Sequence, residues 1–501
     1  MTNSCTSADD PRVFRIERTL LRVVARAQAQ HRETALLALL LAGFALAWFM
    51  FDIASLGPFD AHFDLGEMSI WAQHFAFGYK HPPLSGWIFG LWFSVFPRAP
   101  WAAHLLAVTT VTLTLAVTWR LVRDHLDFNR ALLGIASLVL VPLYTFQAIK
   151  FNANLVMMPF WAAALLFYMR TRRNLRAYDA MLAGACLGFA FLGKYWAIYL
   201  VAAMLAASFI GASAGTFWRS RAPYAMAVAA LVVVAPHLVW LLTARGGDTD
   251  SFLLALKSTD SFRGDVLRSL MFWIGSLADV IGPLLLFAAL RPSPAALKDT
   301  VMPQEEGRKL ALVLLAVPLA LPALANLAMP HRLTALWTFP NWALLPVVLF
   351  GSPLLNVPSL AALRGVLIAT ILTVGAVIAA PLIGVQNLHN RDQHRQHAQQ
   401  LAEEIGKLSD RPVEYLSGDG DIVKSLFFPL PSARPLQASP PADARAAIVC
   451  LASDAACQSQ GDALTQGGWT GGPWSDVTLT RSFLGFAGPV SAYRIKIISR
   501  K

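Results

Sequence analysis

Between Phe63 and Leu84 the sequence reads Phe-Asp-Leu-Gly-Glu-Met-Ser-Ile-Trp-Ala-Gln-His-Phe-Ala-Phe-Gly-Tyr-Lys-His-Pro-Pro-Leu. It gathers two acids (Asp64 and Glu67), a Lys80-His81 pair and a Pro82-Pro83 break. Carboxylates accept protons and hold cations, whereas lysine and histidine face anions. Solubility is a poor reason for these charges, because Phe, Trp and Tyr fill the same stretch. The stretch follows the first long apolar run, so it reads as a site at the surface of a bilayer.

The elements that position such a site must lie in lipid. The 501 residues are 56% hydrophobic and 14% charged, against about 25% charged in soluble domains. That deficit predicts a polytopic α-helical membrane protein. The formal net charge of +11 falls in short loops, as the positive-inside rule requires. Without a basic patch interleaved with aromatics on a soluble domain, nucleic acid is excluded as a partner.

Residues 1–34 are polar and basic, with Arg12, Arg15, Arg18, Arg22, Arg26 and Arg32. Over 12–30 they suit either an amphipathic helix on the inner leaflet or a disordered tail. The apolar run at 35–56 is too long for a signal-peptide core and lacks a small-residue cleavage site. It reads as an uncleaved first span. Further apolar runs lie near 100–119, 131–149, 152–169, 178–193, 195–213, 223–243, 267–290, 309–329, 333–351 and 361–384, about eleven spans in all. Loops with Arg120, Arg123 and Arg130, with Arg170, Arg172, Arg173 and Arg176, with Arg219 and Arg221, and with Arg291, Lys298, Arg308 and Lys309 then share the N-terminal side. That side is cytoplasmic by charge bias.

The outer side of the inner membrane receives the first loop (57–99), Lys150, Asn152, Asn154, Lys194, Tyr195, Arg245, Lys257, Arg263 and the His331-Arg332 pair. Segments 67–77 and 83–97 are too short to span and read as helices along the interface. Residues 35–385 form the membrane domain, and 386–501 a small α/β domain outside, in the periplasm. There Asn390–Lys407 reads as a helix, and Val413–Leu416, Ala446–Ala452, Val477–Phe483 and Val490–Ile498 as strands. The histidines at 389, 394 and 397 suit a metal or a solvated helix face. Cys450 and Cys457 suit a disulfide outside the cytoplasm; Cys186 lies within an apolar run.

The pattern Asp64-(x)8-Gln73-His74-(x)3-Gly78-Tyr79-x-His81-Pro82-Pro83-Leu84, placed after the first span, resembles the GT-C glycosyltransferases. Within them it is most similar to the branch of the protein O-mannosyltransferases and the lipid A aminoarabinose and galacturonic acid transferases. Gly193-Lys194-Tyr195 and Asn152-Ala-Asn154 add to the likeness, which covers roughly 35–385. It implies an inverting transfer of a sugar from a polyprenyl-phosphate donor to an envelope acceptor, lipid A or another glycolipid. It places Asp64 on the family's essential Asp, as the base for the acceptor hydroxyl. Glu67 lies off the family motif one turn on, where it either compensates for the family's missing Glu or only orients Asp64.

Lys80, His81, Lys194, Arg263 and Arg332 are the candidates for the donor phosphate; snorkelling interfacial cations are the alternative for the lysines and arginines. Trp71, Tyr79, Asn152, Asn154 and Tyr195 line the expected groove, together with Trp196 and Trp337, although an aromatic belt accounts for the tryptophans equally. Leu65 stands where relatives carry Glu, Asn154 where many carry an acid, and Lys80-His81 where some carry Glu-Lys. These changes remove metal-ligating carboxylates, so a divalent metal stays open as a cofactor. A transporter or flippase of lipid-linked sugars is the competing function, and a non-catalytic envelope assembly factor the third.

Overall fold

The computed structural model describes the chain except residues 1–13, 30–31, 74, 79–80, 149, 244–261, 330, 332, 391–396, 437–439, 467 and 501. The basic N-terminal stretch is helix α1 (Arg15–Ala29), and its Glu17 meets Arg364 at 2.8 Å. The amphipathic-helix alternative is the one adopted. Helix α2 (Glu33–Leu56) follows, then two short helices, α3 (Phe63–Ala72) and α4 (Leu84–Phe93), which pack on one another. Pro100 opens α5 (Pro100–Arg123), because a first turn has no use for its missing N–H.

The chain continues through α6 (Phe128–Val139), α7 (Ala153–Asn174), α8 (Ala177–Gly193), α9 (Ile198–Ser208), α10 (Ala214–Arg219) and α11 (Ala222–Thr243). Then come α12 (Phe262–Asp279), α13 (Ile281–Ala289), α14 (Pro294–Val301), α15 (Glu306–Ala328), α16 (Leu345–Phe350) and α17 (Ser359–Leu388).

Among the described residues six helices (α2, α5, α7, α11, α15 and α17) are each long and apolar enough to cross a bilayer. Helices α12 and α13, bent by 49° at their junction, make a seventh if taken together. The other four expected spans are shorter or broken. Helix α6 stops before Pro142, whose ring cannot continue it. Helices α8 and α9 hold 17 and 11 residues. The run 333–351 divides around Pro340 and Pro346 into two 3₁₀ turns and α16.

Helix α8 lies between α7 and α11. A Cβ at Gly184 would land on the carbonyl of Met226, so the approach of α8 to α11 there admits only glycine.

At one end of the bundle, arginines tie the helices together. Arg123 meets Glu33 at 3.2 Å, Arg170 meets Asp124 at 2.6 Å and Arg308 meets Asp299 at 2.6 Å. Arg172 reaches the carbonyls of Ala207 (2.5 Å) and Ile210 (2.8 Å) beside Glu306. The basic loops of the sequence thus converge on a single end.

The C-terminal unit is a mixed sheet in the order β2-β1-β3-β8-β4, with β5 also on β8. Its strands are β1 (Tyr415–Gly418), β2 (Arg434–Pro435), β3 (Arg445–Leu451), β4 (Trp469–Gly471), β5 (Ser475–Leu479) and β8 (Ser491–Arg500). Strands β1, β2 and β3 run parallel; β8 is antiparallel to β3, β4 and β5. The alternation of β3 sends Ala447 and Val449 to one core and Ala446, Ile448 and Cys450 to another. The first core is closed by α18 (Ala398–Leu408) and α19 (Gly420–Leu426), and the second by α20 (Ala455–Gln466). Cys450 and Cys457 are bridged. The expected strand 477–483 is interrupted: β5 ends at Leu479, and β6 (Ser482–Phe483) pairs instead with β7 (Phe486–Ala487). His397 is buried, with Nδ1 2.9 Å from the Tyr493 hydroxyl, so it stands on no solvated helix face. His394 lies outside the described residues.

This unit is fastened to the bundle around α3. Arg481 pairs with Asp60 at 2.6 Å, and the Gln399 N–H donates to the same carboxylate at 2.9 Å. Gln73 Nε2 donates to the carbonyls of Pro431 (2.7 Å) and Ala433 (2.9 Å). A Cβ at Gly66 would land on the Lys424 carbonyl. The Phe483 ring lies against Gly57 and Gly384, at the ends of α2 and α17.

Candidate active site

Of the polar residues expected at the opposite end of the bundle, Asp64, Lys150, Asn154 and Lys194 gather near α3. Helix α3 begins where His62 caps it: its backbone is extended (φ −61°, ψ 147°), and Nδ1 lies 3.2 Å from the Asp64 N–H. Asp64 therefore sits in the first turn, where the helix dipole favours a carboxylate. Its Oδ2 is 3.4 Å from the same Nδ1. Glu67 follows one turn on, on the same helix face. On the far side of the imidazole, His62 Nε2 lies 3.4 Å from Lys150 Nζ.

Lys194 approaches from another direction. It ends α8 with an extended backbone, its N–H still bonded to the Ala190 carbonyl at 3.1 Å. Its Nζ donates to Asn154 Oδ1 at 2.7 Å and stands 4.2 Å above the Trp337 ring. Protein surrounds the side chain while leaving part of its surface open. Burial pushes its ammonium down, to about 7, and the negative charge of Asp64 pulls the other way. A lysine and a carboxylate that feel each other thus come from α8 and α3.

Asn152 caps α7, with Oδ1 taking the N–H of Asn154 (2.9 Å) and of Leu155 (3.3 Å). That cap points Asn154 at Lys194, so Asn152 serves the site by fixing its neighbour. Tyr195 faces away from Lys194: its hydroxyl is 2.9 Å from His237 Nε2, and His237 Nδ1 is 2.6 Å from the Phe77 carbonyl. Trp196 packs edge-on to Trp337 at 5.3 Å, and Trp71 likewise to His81 at 5.8 Å. Arg263 is exposed in the first turn of α12 and, among the described residues, makes no hydrogen bond or ion pair with the groups around Asp64. Tyr79, Lys80 and Arg332 lie outside the described residues.

Two cavities flank this cluster. One of about 110 Å³ is lined by His62, Lys150, His104 and Asp60 among apolar side chains. The other, about 510 Å³, is an apolar groove between α8, α9 and α11, lined by Leu187, Phe191, Val201, Leu205, Val234 and Leu238. Phe191 packs against Tyr195 at 5.5 Å, so the groove runs up to the Tyr195–His237 pair.

His62 and His237 carry no motif, and the sequence reading leaves them unassigned. The one available signal is the position of His62 two residues before an acid at a helix start. As for a metal, no three His, Cys, Asp or Glu side chains gather to hold one among the described residues. Asn154, at the position where many relatives carry an acid, has its Oδ1 bonded to the Lys194 ammonium. Among the described residues, the side chains around Asp64 do not make a divalent site.

Comparison with known proteins shows what this arrangement is similar to. Residues 80–240 match the family model described as dolichyl-phosphate-mannose-protein mannosyltransferase. Among solved structures, ArnT from Cupriavidus metallidurans in the apo state is similar with a TM-score of 0.61 at 14% identity, over 93% of this chain and 98% of that one. The same protein bound to undecaprenyl phosphate gives a TM-score of 0.58 at 14% identity over the same shares. No curated protein matches the sequence. Residues 80–240 thus resemble that mannosyltransferase family, and the chain as a whole shares the multi-pass fold of ArnT.

Proposed function

We propose that this protein moves a sugar from a polyprenyl-phosphate donor to an envelope acceptor hydroxyl, on a lipid or a glycan, at the outer face of the inner membrane. The observation that carries the reading is Lys194, a half-buried cation held by Asn154 and Trp337 near enough to Asp64 to feel its charge. Asp64 takes the proton of the acceptor hydroxyl as it attacks the anomeric carbon. The bond to the phosphate breaks, and its electron pair leaves on the phosphate oxygen. Lys194 meets the charge growing there. Single displacement inverts the anomeric centre. Glu67, one turn from Asp64, orients it.

The apolar groove between α8, α9 and α11 has the chemistry for a prenyl chain. The solved relative bound to undecaprenyl phosphate supports a donor of that kind. Lipid A or another glycolipid is the acceptor we favour, and residues 386–501 then face the periplasm with the site.

The test is transfer by purified protein from a polyprenyl-phosphate sugar. Asp64→Asn keeps the side-chain shape without its basicity. It should bind donor yet turn over at least about a hundredfold more slowly, the lower range for loss of a general base. A folded Asp64→Asn protein with near-normal turnover removes Asp64 as the base.

A further inference from the structure

His62 stands between two incompatible demands. The Asp64 N–H points at Nδ1 from 3.2 Å, which calls for a lone pair on Nδ1. The Lys150 ammonium lies 3.4 Å from Nε2, which calls for a lone pair there. A neutral imidazole has one such nitrogen, not two. Each tautomer satisfies one neighbour and offends the other, which brings the two close in energy. Nδ1 is also 3.4 Å from Asp64 Oδ2, and the ring lines the cavity of about 110 Å³. That volume is several times the roughly 10–15 Å³ that one water needs, and the wall carries polar groups to bond it.

We propose that His62 is the outlet for the proton that Asp64 collects, passing it from Nδ1 to Nε2 and on to water in this cavity. The inference rests on the reading of Asp64 as the base. The step balances. The acceptor O–H proton goes to the Asp64 carboxylate, and the resulting acid gives it to the Nδ1 lone pair. The imidazolium loses its Nε2 proton to cavity water. Asp64 is then an anion and His62 neutral with its proton on Nδ1; exchange with cavity water, which removes the Nδ1 proton and returns one to Nε2, restores the starting tautomer before the next turnover.

Among the described residues, several ionic groups stand around His62. Asp64 comes from its own helix and Lys150 from the segment before α7. Across the cavity stands His104 of α5, 3.8 Å from Asp52 of α2. Asp60 is tied to Arg481 of the C-terminal unit. The Lys150 ammonium opposes a charge on the imidazole, and the Asp64 carboxylate 3.4 Å from Nδ1 favours it.

The bland account is that His62 only caps α3, and one substitution separates the two. Asn is among the best N-caps, so His62→Asn keeps the cap and removes the relay. The profile of kcat against pH is measured for wild type, His62→Asn and Asp64→Asn, with donor KM beside it. The relay predicts a folded His62→Asn protein with unchanged donor KM and kcat lowered about tenfold or more. Its acid limb should lie below the imidazole range, leaving that of the carboxylate alone. Wild-type kcat and limb in His62→Asn would reduce His62 to a cap and overturn the relay. A rise in donor KM equal to the fall in kcat would mark it as structural and do the same. Activity in Asp64→Asn would remove the base and the relay together; an inert Asp64→Asn beside an unaltered His62→Asn removes the relay alone. If His62→Asn fails to fold, Lys150→Met decides. Losing the ammonium eases protonation of the imidazole, so the acid limb should move to higher pH, and an unmoved limb refutes the relay.

Discussion

Lys194 offers the sharpest prediction, because its surroundings set both the size and the pH dependence of the effect. Among the described residues, its Nζ has one hydrogen-bond acceptor, Asn154 Oδ1 at 2.7 Å, and one aromatic face, Trp337 at 4.2 Å. Neither supplies a full negative charge. A donor phosphate would, and a charge-assisted hydrogen bond contributes about 1.5–3 kcal/mol. Lys194→Met keeps the length and loses the charge, so donor affinity should fall about 10- to 150-fold, at roughly 1.4 kcal/mol per tenfold. The sign of the pH dependence follows from the depressed ammonium, which is charged below about 7 and neutral above it in the free site.

The donor phosphodiester stays anionic throughout this range and binds the charged form. Donor KM should therefore be flat below pH 7 and rise towards tenfold per pH unit above it. Lys194→Arg keeps its charge at every working pH and should abolish that rise, whatever it does to the plateau. The assay is donor KM, or direct donor binding, between pH 6 and 9 in nanodiscs. A flat wild-type profile, or donor binding unchanged in Lys194→Met, would return Lys194 to the role of an interfacial cation.

Other outcomes follow from the same structure. Glu67→Gln should slow transfer less than Asp64→Asn, because Glu67 acts through Asp64; equal losses in kcat would make it a partner in the proton transfer. Chelators should leave activity largely intact, since Asn154 is a neutral ligand already bonded to Lys194; strict loss restored by one added ion would show otherwise. A reporter active only in the cytoplasm, fused after residue 400, should stay silent, and activity there would invert the orientation. The Cys450–Cys457 bridge closes a loop at a sequence separation of 7. By chain entropy it should contribute about 2.4 kcal/mol to the C-terminal unit, read as a lowered denaturant midpoint in Cys450→Ser with Cys457→Ser; an unmoved midpoint would show the bridge does nothing for stability.

Some of this was legible in the residues alone. The apolar runs announced their helices, and the arginine loops announced one shared end. The chain breaks inside 131–149 and 333–351 were marked by Pro142, Pro340 and Pro346, but hydropathy summed over a window does not register a proline. Asn152 carried a helix-start signal, an Asn before an apolar run, that pointed to a cap more directly than to a groove. The approach of Trp337 to Lys194 was not legible, because it depends on how α8 and the 3₁₀ turns after α15 pack. Nor was the role of His62, since histidine is not among the usual caps. The alternating pattern found β3 and β8, whereas β2 and β4, of 2 and 3 residues, are too short to show a period.

The grip of Phe483 on Gly57 and Gly384, with Arg481 on Asp60, has a consequence in time. Asp60 and Gly57 leave the ribosome hundreds of residues before their partners. Until residues 420–490 have been made, the helix bearing Asp64 lacks the carbonyls that hold Gln73 and the surface that holds Gly66. A half-synthesised chain would present the apolar groove between α8, α9 and α11 before α3 is fastened in place. If the proposed function holds, late completion of this kind would keep an immature chain from spending lipid-linked sugar on the wrong nucleophile, water included.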